Sequence, residues 1–510
     1  MRRVSVSGSY EYVIVGAGSA GCVLANRLSE DPHTKVLLLE AGNPDDSQSI
    51  HVPLLWWGLP QSVVDWCYTT TPQPGLNGRV DDWPRGRTLG GSSAINAMMY
   101  IRGNRWDYDR WERIGNEGWS YDDLLPYFKR AEDFEDGETA FHGEDGPLGV
   151  ARANSPIAPS RALVEAAQEA GFTYNSDFNG KRQSGVGPLH LTAVNGQRQS
   201  TAVAYLHPSL IRDNLTATTG AHVTRVLFDG SRATGVEYEH EGSRVSVSAT
   251  SEVILSAGAI ESPKLLMLSG VGPADELARH GIDCREDLPG VGRNLQDHVQ
   301  AAVGYECTRA VSYPTGSNGI ENTAFERTAP DLPAPDVQYI LWPTDAALTN
   351  PHGKSHLLIT AIVLRPASRG QITLQSDDPF DHPVIDPQYF SDSSDLDTLV
   401  KGVFRAREMM SGAALDTYRG IETAPGDSVQ STEEMAQYVR NHASTIYHPV
   451  GTCKMGDDAL AVVDDRLRVI GLDSLRIVDA SIMPRITSGN TNAPTIAIAE
   501  RAADLITGAA

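Results

Sequence analysis

Two stretches near opposite ends of the 510-residue chain carry residue types suited to chemistry. Near the start, Gly16, Gly18 and Gly21 follow the apolar run Tyr12-Val13-Ile14-Val15 with the spacing G-x-G-x-x-G. A turn of this kind that opens a helix presents backbone N–H groups and a positive helix end to a pyrophosphate. Gly16 permits the tight turn, Gly18 lets the backbone approach the phosphate, and Gly21 lets helix and strand pack. Glu40, nineteen residues past Gly21, can accept hydrogen bonds from a ribose diol. It would repel a ribose phosphate, which disfavours an NADP-type ligand. Near the other end stand His448, in Ile446-Tyr447-His448-Pro449-Val450-Gly451-Thr452, and Asn490, in Ser488-Gly489-Asn490-Thr491-Asn492. A neutral imidazole suits removal of a hydroxyl proton. A neighbouring amide suits an oxygen on which charge develops. A dinucleotide site together with a proton-handling pair points to a redox enzyme, although the glycine spacing alone does not separate FAD from NAD.

These groups need elements to hold them. Continuous apolar character predicts buried strands at 12–15 and 35–40, and helical spacing predicts a helix over 20–28 between them. Strand, helix and strand within about thirty residues form a βαβ unit with parallel strands. Strands are also expected at 215–219, 223–229, 252–258 and 475–479, with a hairpin from 235–240 and 244–249. Short helices are expected at 262–268, with Pro263 in the first turn, and at 397–410, and an amphipathic closing helix at 493–505. Residues 308–335 are rich in Pro, Gly, Thr and Ser and show no clear period, whereas apolar strand runs return over 337–364. The expected fold is mixed α/β: a Rossmann-like domain of 1–155, 200–307 and 446–510, and an inserted substrate domain of 156–199 and 308–445 on a mostly antiparallel sheet.

The chain is too long for one ordinary core, so two domains are expected. A net charge of −23 argues against a nucleic-acid partner, which needs a basic face. It suits a solvated acidic surface and leaves open an attraction for cationic substrates. Five scattered cysteines without C-x-x-C spacing give neither a metal motif nor a disulfide framework, and Cys22 reads as a small buried hydrophobe. No apolar run is long enough to span a membrane, and the start lacks the apolar core of a secretory leader. A cytoplasmic setting, no metal and no transmembrane segment are therefore expected. Histidines such as His142, His190 and His298 read as surface, core or cofactor-side residues, and the Asp457-Asp458 and Asp464-Asp465 pairs as loop charges.

Longer motifs sharpen the reading. The run Gly86 to Gly103, containing Gly90-Gly91-Ser92-Ser93-Ala94-Ile95-Asn96, resembles the first signature of the glucose-methanol-choline (GMC) oxidoreductase family. The run Gly258 to Gly272 resembles its second, and Asn294-Leu295-Gln296-Asp297-His298 is similar to another recurrent stretch. The likeness lies nearest the choline dehydrogenase and bacterial primary-alcohol dehydrogenase branch. It implies FAD, with His448 as the base and Asn490 as its partner. It further implies cofactor contacts from Ser19, Ala20, Ala41, Ala97, Met98, Asp479, Ala480 and Thr495, from the small-residue run Gly90, Gly91 and Ser92, and from Val223 near the adenine. Asn492 is assigned to the pyrimidine edge of the flavin. Asn96 could lie near the isoalloxazine or cap a turn, and Trp66 could face the flavin or pack in a core. Some members attach FAD through a histidine just before the asparagine; here Ile95 holds that place and has no nucleophile, so FAD is expected to be non-covalent.

The leading expectation is oxidation of a primary alcohol to the aldehyde, with further oxidation through the hydrate open, and with oxygen or a quinone-type acceptor reoxidising the flavin. A hydroxynitrile lyase is the first alternative; its relatives carry two histidines, so Asn490 counts against it. A light-driven decarboxylase would not need His448, and a non-catalytic module would need neither residue of the pair. Segments 48–65 and 311–349 are expected to shape the entrance, with Trp56, Trp57, Trp342 and Phe325 as wall or core.

Overall fold

The two strands that flank the glycine turn pair in parallel, Tyr12 with Val36 through Val15 with Leu39. The computed structural model describes residues 4–153, 157–314, 316–346 and 353–509. The boundary expected at 155/156 and the end of segment 311–349 lie outside the described residues. The first strand spans Val4–Val15, the helix Ser19–Leu28 and the second strand Val36–Leu39. All four residues of Val36–Leu39 are buried, as continuous apolar character requires of a strand covered on both faces.

Around this unit a seven-stranded sheet forms in the order Leu215–Thr218, Val36–Leu39, Val4–Val15, Ser243–Leu255, Arg232–His240, His222–Asp229. Leu475–Ile477 also pairs with Ser243–Leu255, in parallel. The expected hairpin is present, with Gly235 opposite Ser248 and His240 opposite Ser243. The sheet is therefore parallel at its centre and antiparallel at one end. The parallel strands aim their carboxyl ends at one crevice, where open α/β sheets bind ligands.

A second seven-stranded sheet has the order Arg419–Ala424, Val299–Cys307, His356–Val363, Val337–Pro343, Asn322–Glu326, Gly185–Pro188, with Ser444–Thr445 also pairing with Val299–Cys307. The neighbours along it pair antiparallel. Residues 299–307, placed within the span of the Rossmann-like domain from sequence, form the strand Val299–Cys307, which pairs within the second sheet. Within 308–335, where the sequence shows no clear period, Asn322–Glu326 is a strand whose first four residues are buried. Its polar Asn322 and Thr323 obscure the apolar signal. Both are satisfied inside the fold, Asn322 Nδ2 donating to Ser160 O at 3.2 Å and Thr323 Oγ1 to Tyr339 O at 2.8 Å.

Helix boundaries shift for local reasons. The helix expected at 262–268 begins at Gly258, so Pro263 lies inside it. Proline has no N–H for the carbonyl of Ala259. Thr452 Oγ1 donates to that carbonyl instead, at 2.7 Å. The helix expected at 397–410 spans Ser393–Met410, capped by Asp392, whose side chain accepts from Ser394 N. The closing helix spans Asn492–Thr507 and is buried along most of its length. Its Glu500 sits between Arg27 and Arg130, at 2.8 Å from each. Among the described residues no helix is long and apolar enough to cross a membrane.

Candidate active site

A cavity of about 590 Å³ runs from the crevice of the parallel sheet to the face of the second sheet. At the sheet end, Gly16, Gly18, Ser19 and Ala20 line it beside Glu40 and Ala41. Glu40 is buried, and its two oxygens accept from Ala17 N at 2.9 Å and Gly42 N at 2.8 Å. Burial pushes its carboxyl up to about 7 despite those bonds. Each oxygen keeps a second lone pair, which suits a ribose diol.

The small-residue signature meets this turn directly. A Cβ on Gly91 would stand 2.7 Å from Gly18 Cα, so the two backbones touch with no room for a side chain. Gly90 N donates to Ala17 O at 2.8 Å, tying the two loops together. Two expected contact residues lie behind the lining. Gly90 is a turn residue with φ +86°, and Gly21 is a packing residue whose Cβ would meet Gly16 O at 1.9 Å. Gly91, Ser92, Ala97, Met98, Trp66, Val223, Asp479, Ala480, Asn492 and Thr495 all line the cavity. Asn96 lines it too and also caps a turn, its Oδ1 accepting from Met98 N at 2.9 Å. Trp66 faces the cavity with Arg87 over its ring at 4.8 Å. Asp479 is held by Gly258 N at 2.8 Å and Ser262 Oγ at 2.6 Å. Asn492 Oδ1 accepts from Ser19 Oγ at 2.7 Å, joining the last helix to the first.

His448 and Asn490 meet at the far end of the cavity, with Asn490 Nδ2 3.1 Å from His448 Nε2. His298 supplies the third group, its Nδ1 2.9 Å from His448 Nδ1 and its Nε2 3.0 Å from Leu364 O. The proton positions follow. A carbonyl only accepts, so His298 Nε2 carries the hydrogen. Burial pushes the His298 pKa down to about 4, so this ring is neutral and its Nδ1 holds a lone pair. His448 Nδ1 must then donate, which leaves the His448 Nε2 lone pair facing Asn490 and the cavity. Burial, the neighbouring His298 and Arg85 hold the His448 pKa well below the ordinary histidine value. The result is a neutral imidazole with its acceptor nitrogen directed at the site.

The backbone before His448 is anchored on three sides. Tyr447 has φ +68°, an uncommon conformation for a bulky residue. Its N donates to Thr445 Oγ1 at 2.7 Å, its carbonyl accepts from Arg85 Nη2 at 2.6 Å, and His448 N donates to Asp297 Oδ1 at 2.8 Å. Burial raises Asp297 to about 6. Arg85 and Asp297 were not singled out from sequence. Asp297 lies within one quoted motif and Arg85 just before another, but nothing local to either shows that it braces His448. Arg198 was also missed. Its Nη1 donates to Asn96 O at 2.6 Å and to Asn96 Oδ1 at 2.8 Å, and its Nε to Ile50 O at 2.7 Å, which holds the signature loop in place.

The side-chain inventory fits a dinucleotide. Glycine backbones give close approach, a helix opens at Ser19, and Ser256 Oγ is a buried polar atom on the lining without a protein partner. Asn490 Oδ1 is likewise buried without a partner. Trp56, Trp57 and Trp342 line the second-sheet end, whereas Phe325 is fully buried core.

His142, His190 and Asp177, far apart in sequence reading, offer ligand atoms within 4.8 Å of one another. Both ring nitrogens of His142 are engaged by carboxylates, Nδ1 with Glu132 at 3.0 Å and Nε2 with Asp177 at 3.2 Å. Burial alone would lower the His142 pKa, but these hydrogen bonds outweigh it and hold the ring above its ordinary value. Arg102 Nη2 adds a bond to Glu132 at 2.6 Å, with both side chains almost fully buried. The group is a charge-paired network. Glu132→Ala would leave Arg102 buried without its counter-charge and is expected to cost about 3–5 kcal/mol, measured as a lower denaturation midpoint. A loss below about 1 kcal/mol would mean that solvent replaces the carboxylate.

Models described as GMC oxidoreductase match residues 10–300 and 366–499. The chain is 45% identical to mitochondrial choline dehydrogenase of Mus musculus, covering 98% of this chain and 89% of that protein. It is 43% identical to alcohol dehydrogenase [acceptor] of Pseudomonas putida, covering 98% and 95%. Among solved structures, pyridoxine 4-oxidase from Mesorbium loti superposes with a TM-score of 0.91 at 36% identity, covering 97% and 98%.

Proposed function

The chain belongs to the GMC oxidoreductase family, and we propose that this FAD-dependent alcohol oxidoreductase takes primary alcohols to aldehydes. The observation that carries the reading is the His298–His448–Asn490 chain, which leaves a neutral ring nitrogen beside an amide at the end of the cavity. FAD, when bound, supplies the hydride acceptor. Gly16, Gly18, Ser19, Gly91 and Glu40 would hold its phosphates and ribose, and Ser92, Asn96, Ala97, Met98 and Asn492 its flavin end. Ile95 offers no nucleophile for a link, so the attachment in this proposal is non-covalent.

The protein groups then have distinct tasks. His448 Nε2 accepts the hydroxyl proton of the alcohol. Its Nδ1–H stays on His298, so the new cation is shared with a second ring and not with a carboxylate. Asn490 Nδ2 donates to the substrate oxygen as negative charge develops there. Five cysteines stand without disulfides, as a reducing compartment keeps them, and the proposed setting is the cytoplasm. Oxygen or a quinone serves as final acceptor in this reading.

Anaerobic mixing with primary alcohols tests the proposal, since loss of the yellow flavin absorbance reports the oxidation directly. Absence of bleaching with every alcohol, while dithionite still bleaches, would remove it. The pH profile gives a second check. His448 has a depressed pKa, so it remains unprotonated and competent as pH falls through 6.5. The acid limb of kcat/KM is therefore expected below the ordinary histidine value. A limb at or above 6.5 would show that His448 is not held neutral.

A further inference from the structure

We infer that the substrate pocket selects uncharged, apolar alcohols and rejects cationic ones such as choline; this rests on the alcohol-oxidation reading above and names its substrate class. The acidic lining residues of the cavity lie toward the parallel sheet, and each is already engaged. Glu40 holds two backbone N–H groups, Asp479 holds Gly258 N and Ser262, and Glu261 accepts from Tyr68 Oη at 2.5 Å and pairs with Lys264 at 3.3 Å. Beyond His448, no carboxylate lines the cavity among the described residues. The charged side chain on that side is Arg85, a cation. A quaternary ammonium placed there would lose its water, gain no counter-ion and face a guanidinium of like sign.

The aromatic groups do not compensate. A cation is bound by aromatic faces. Here Trp57 is covered on both sides, by Trp56 with centroids 4.0 Å apart and 29° between planes, and by Trp342 at 4.9 Å and 21°. The three rings form a stack with the middle faces hidden, not a cage of open faces. Their polar tips are committed as well, Trp56 Nε1 to Asn318 O at 2.9 Å and Trp342 Nε1 to Thr360 Oγ1 at 3.3 Å. Ile320 and Ile340 complete an apolar wall. On the sheet, Gln300 is the polar residue nearest in sequence to His298 on the lining. Its Nε2 donates to Thr445 O at 2.9 Å, and it carries no charge. The net charge of −23 is a total over the whole chain, and exposed charges more than a Debye length from this wall are largely screened.

The test uses the flavin-loaded enzyme and a matched pair: choline and 3,3-dimethylbutan-1-ol, its uncharged carbon isostere. The neutral alcohol is expected to exceed choline in kcat/KM by about a hundredfold. Gln300→Glu is expected to move that ratio toward choline by about tenfold, with flavin content unchanged. Choline turned over as well as or better than its isostere would overturn the inference while leaving alcohol oxidation intact. Bleaching by neither compound nor by benzyl alcohol, with dithionite still effective, would overturn both.

Discussion

His448→Ala is expected to retain its yellow cofactor and to lose about a thousandfold in the rate at which an alcohol bleaches it. The variant removes the one neutral ring nitrogen that faces Asn490. It leaves the glycine turn, Glu40 and the signature loop untouched, so flavin content reports a separate part of the molecule. Stopped-flow absorbance with saturating alcohol gives the rate, and the acid limb of the pH profile should vanish with the base. Partial recovery by added imidazole would place the missing function at the ring itself. A rate within a few-fold of the parent would rule His448 out as the base. The supporting ring gives a graded companion. His298→Ala should lower the rate less, because Asn490 still directs His448 while the Nδ1 hydrogen loses its acceptor.

Gly91→Val is expected to yield a protein with little or no bound flavin. At Gly91 φ is +51°, where a β-branched side chain is disfavoured, and its Cβ would lie 2.7 Å from Gly18 Cα. The atoms met are Gly18 backbone, so no side chain can swing away to relieve the contact. Either the two loops part or the strand-to-helix turn distorts, and both outcomes spoil the approach of a pyrophosphate. The flavin-to-protein absorbance ratio measures the effect, with a loss of at least about tenfold expected. A variant that kept full flavin content would show that the Gly18–Gly91 contact does not shape the cofactor site. Thermal denaturation of the apo forms separates this from general unfolding.

Much of the fold could be read from local pattern. The βαβ unit was legible because its strands are buried on both faces and so are continuously apolar. The hairpin at 235–249 was legible because its residues alternate. The strand at 322–326 was not, since its buried Asn322 and Thr323 look like loop residues until partners on other segments are known. Nor could sequence assign Val299–Cys307 to a sheet, because strand character does not identify a partner.

The site divides along the same line. By itself the sequence determined the glycine turn, the acidic residue at the end of the second strand and the signature runs, because each is a property of residue type and short-range spacing, whereas the roles proposed for His448 and Asn490 came from the family resemblance. Only the tertiary structure decided the rest. It brought Gly91 against Gly18 and set His298 behind His448, which decides the tautomer of the base. It braced Tyr447 with Arg85, and it stacked three tryptophans on a wall without a carboxylate. The physical reason is range. Turn geometry and helix-end electrostatics act within a few residues, whereas the proton position on a histidine and the charge preference of a pocket depend on groups up to hundreds of residues away in the chain and about 3 Å away in space.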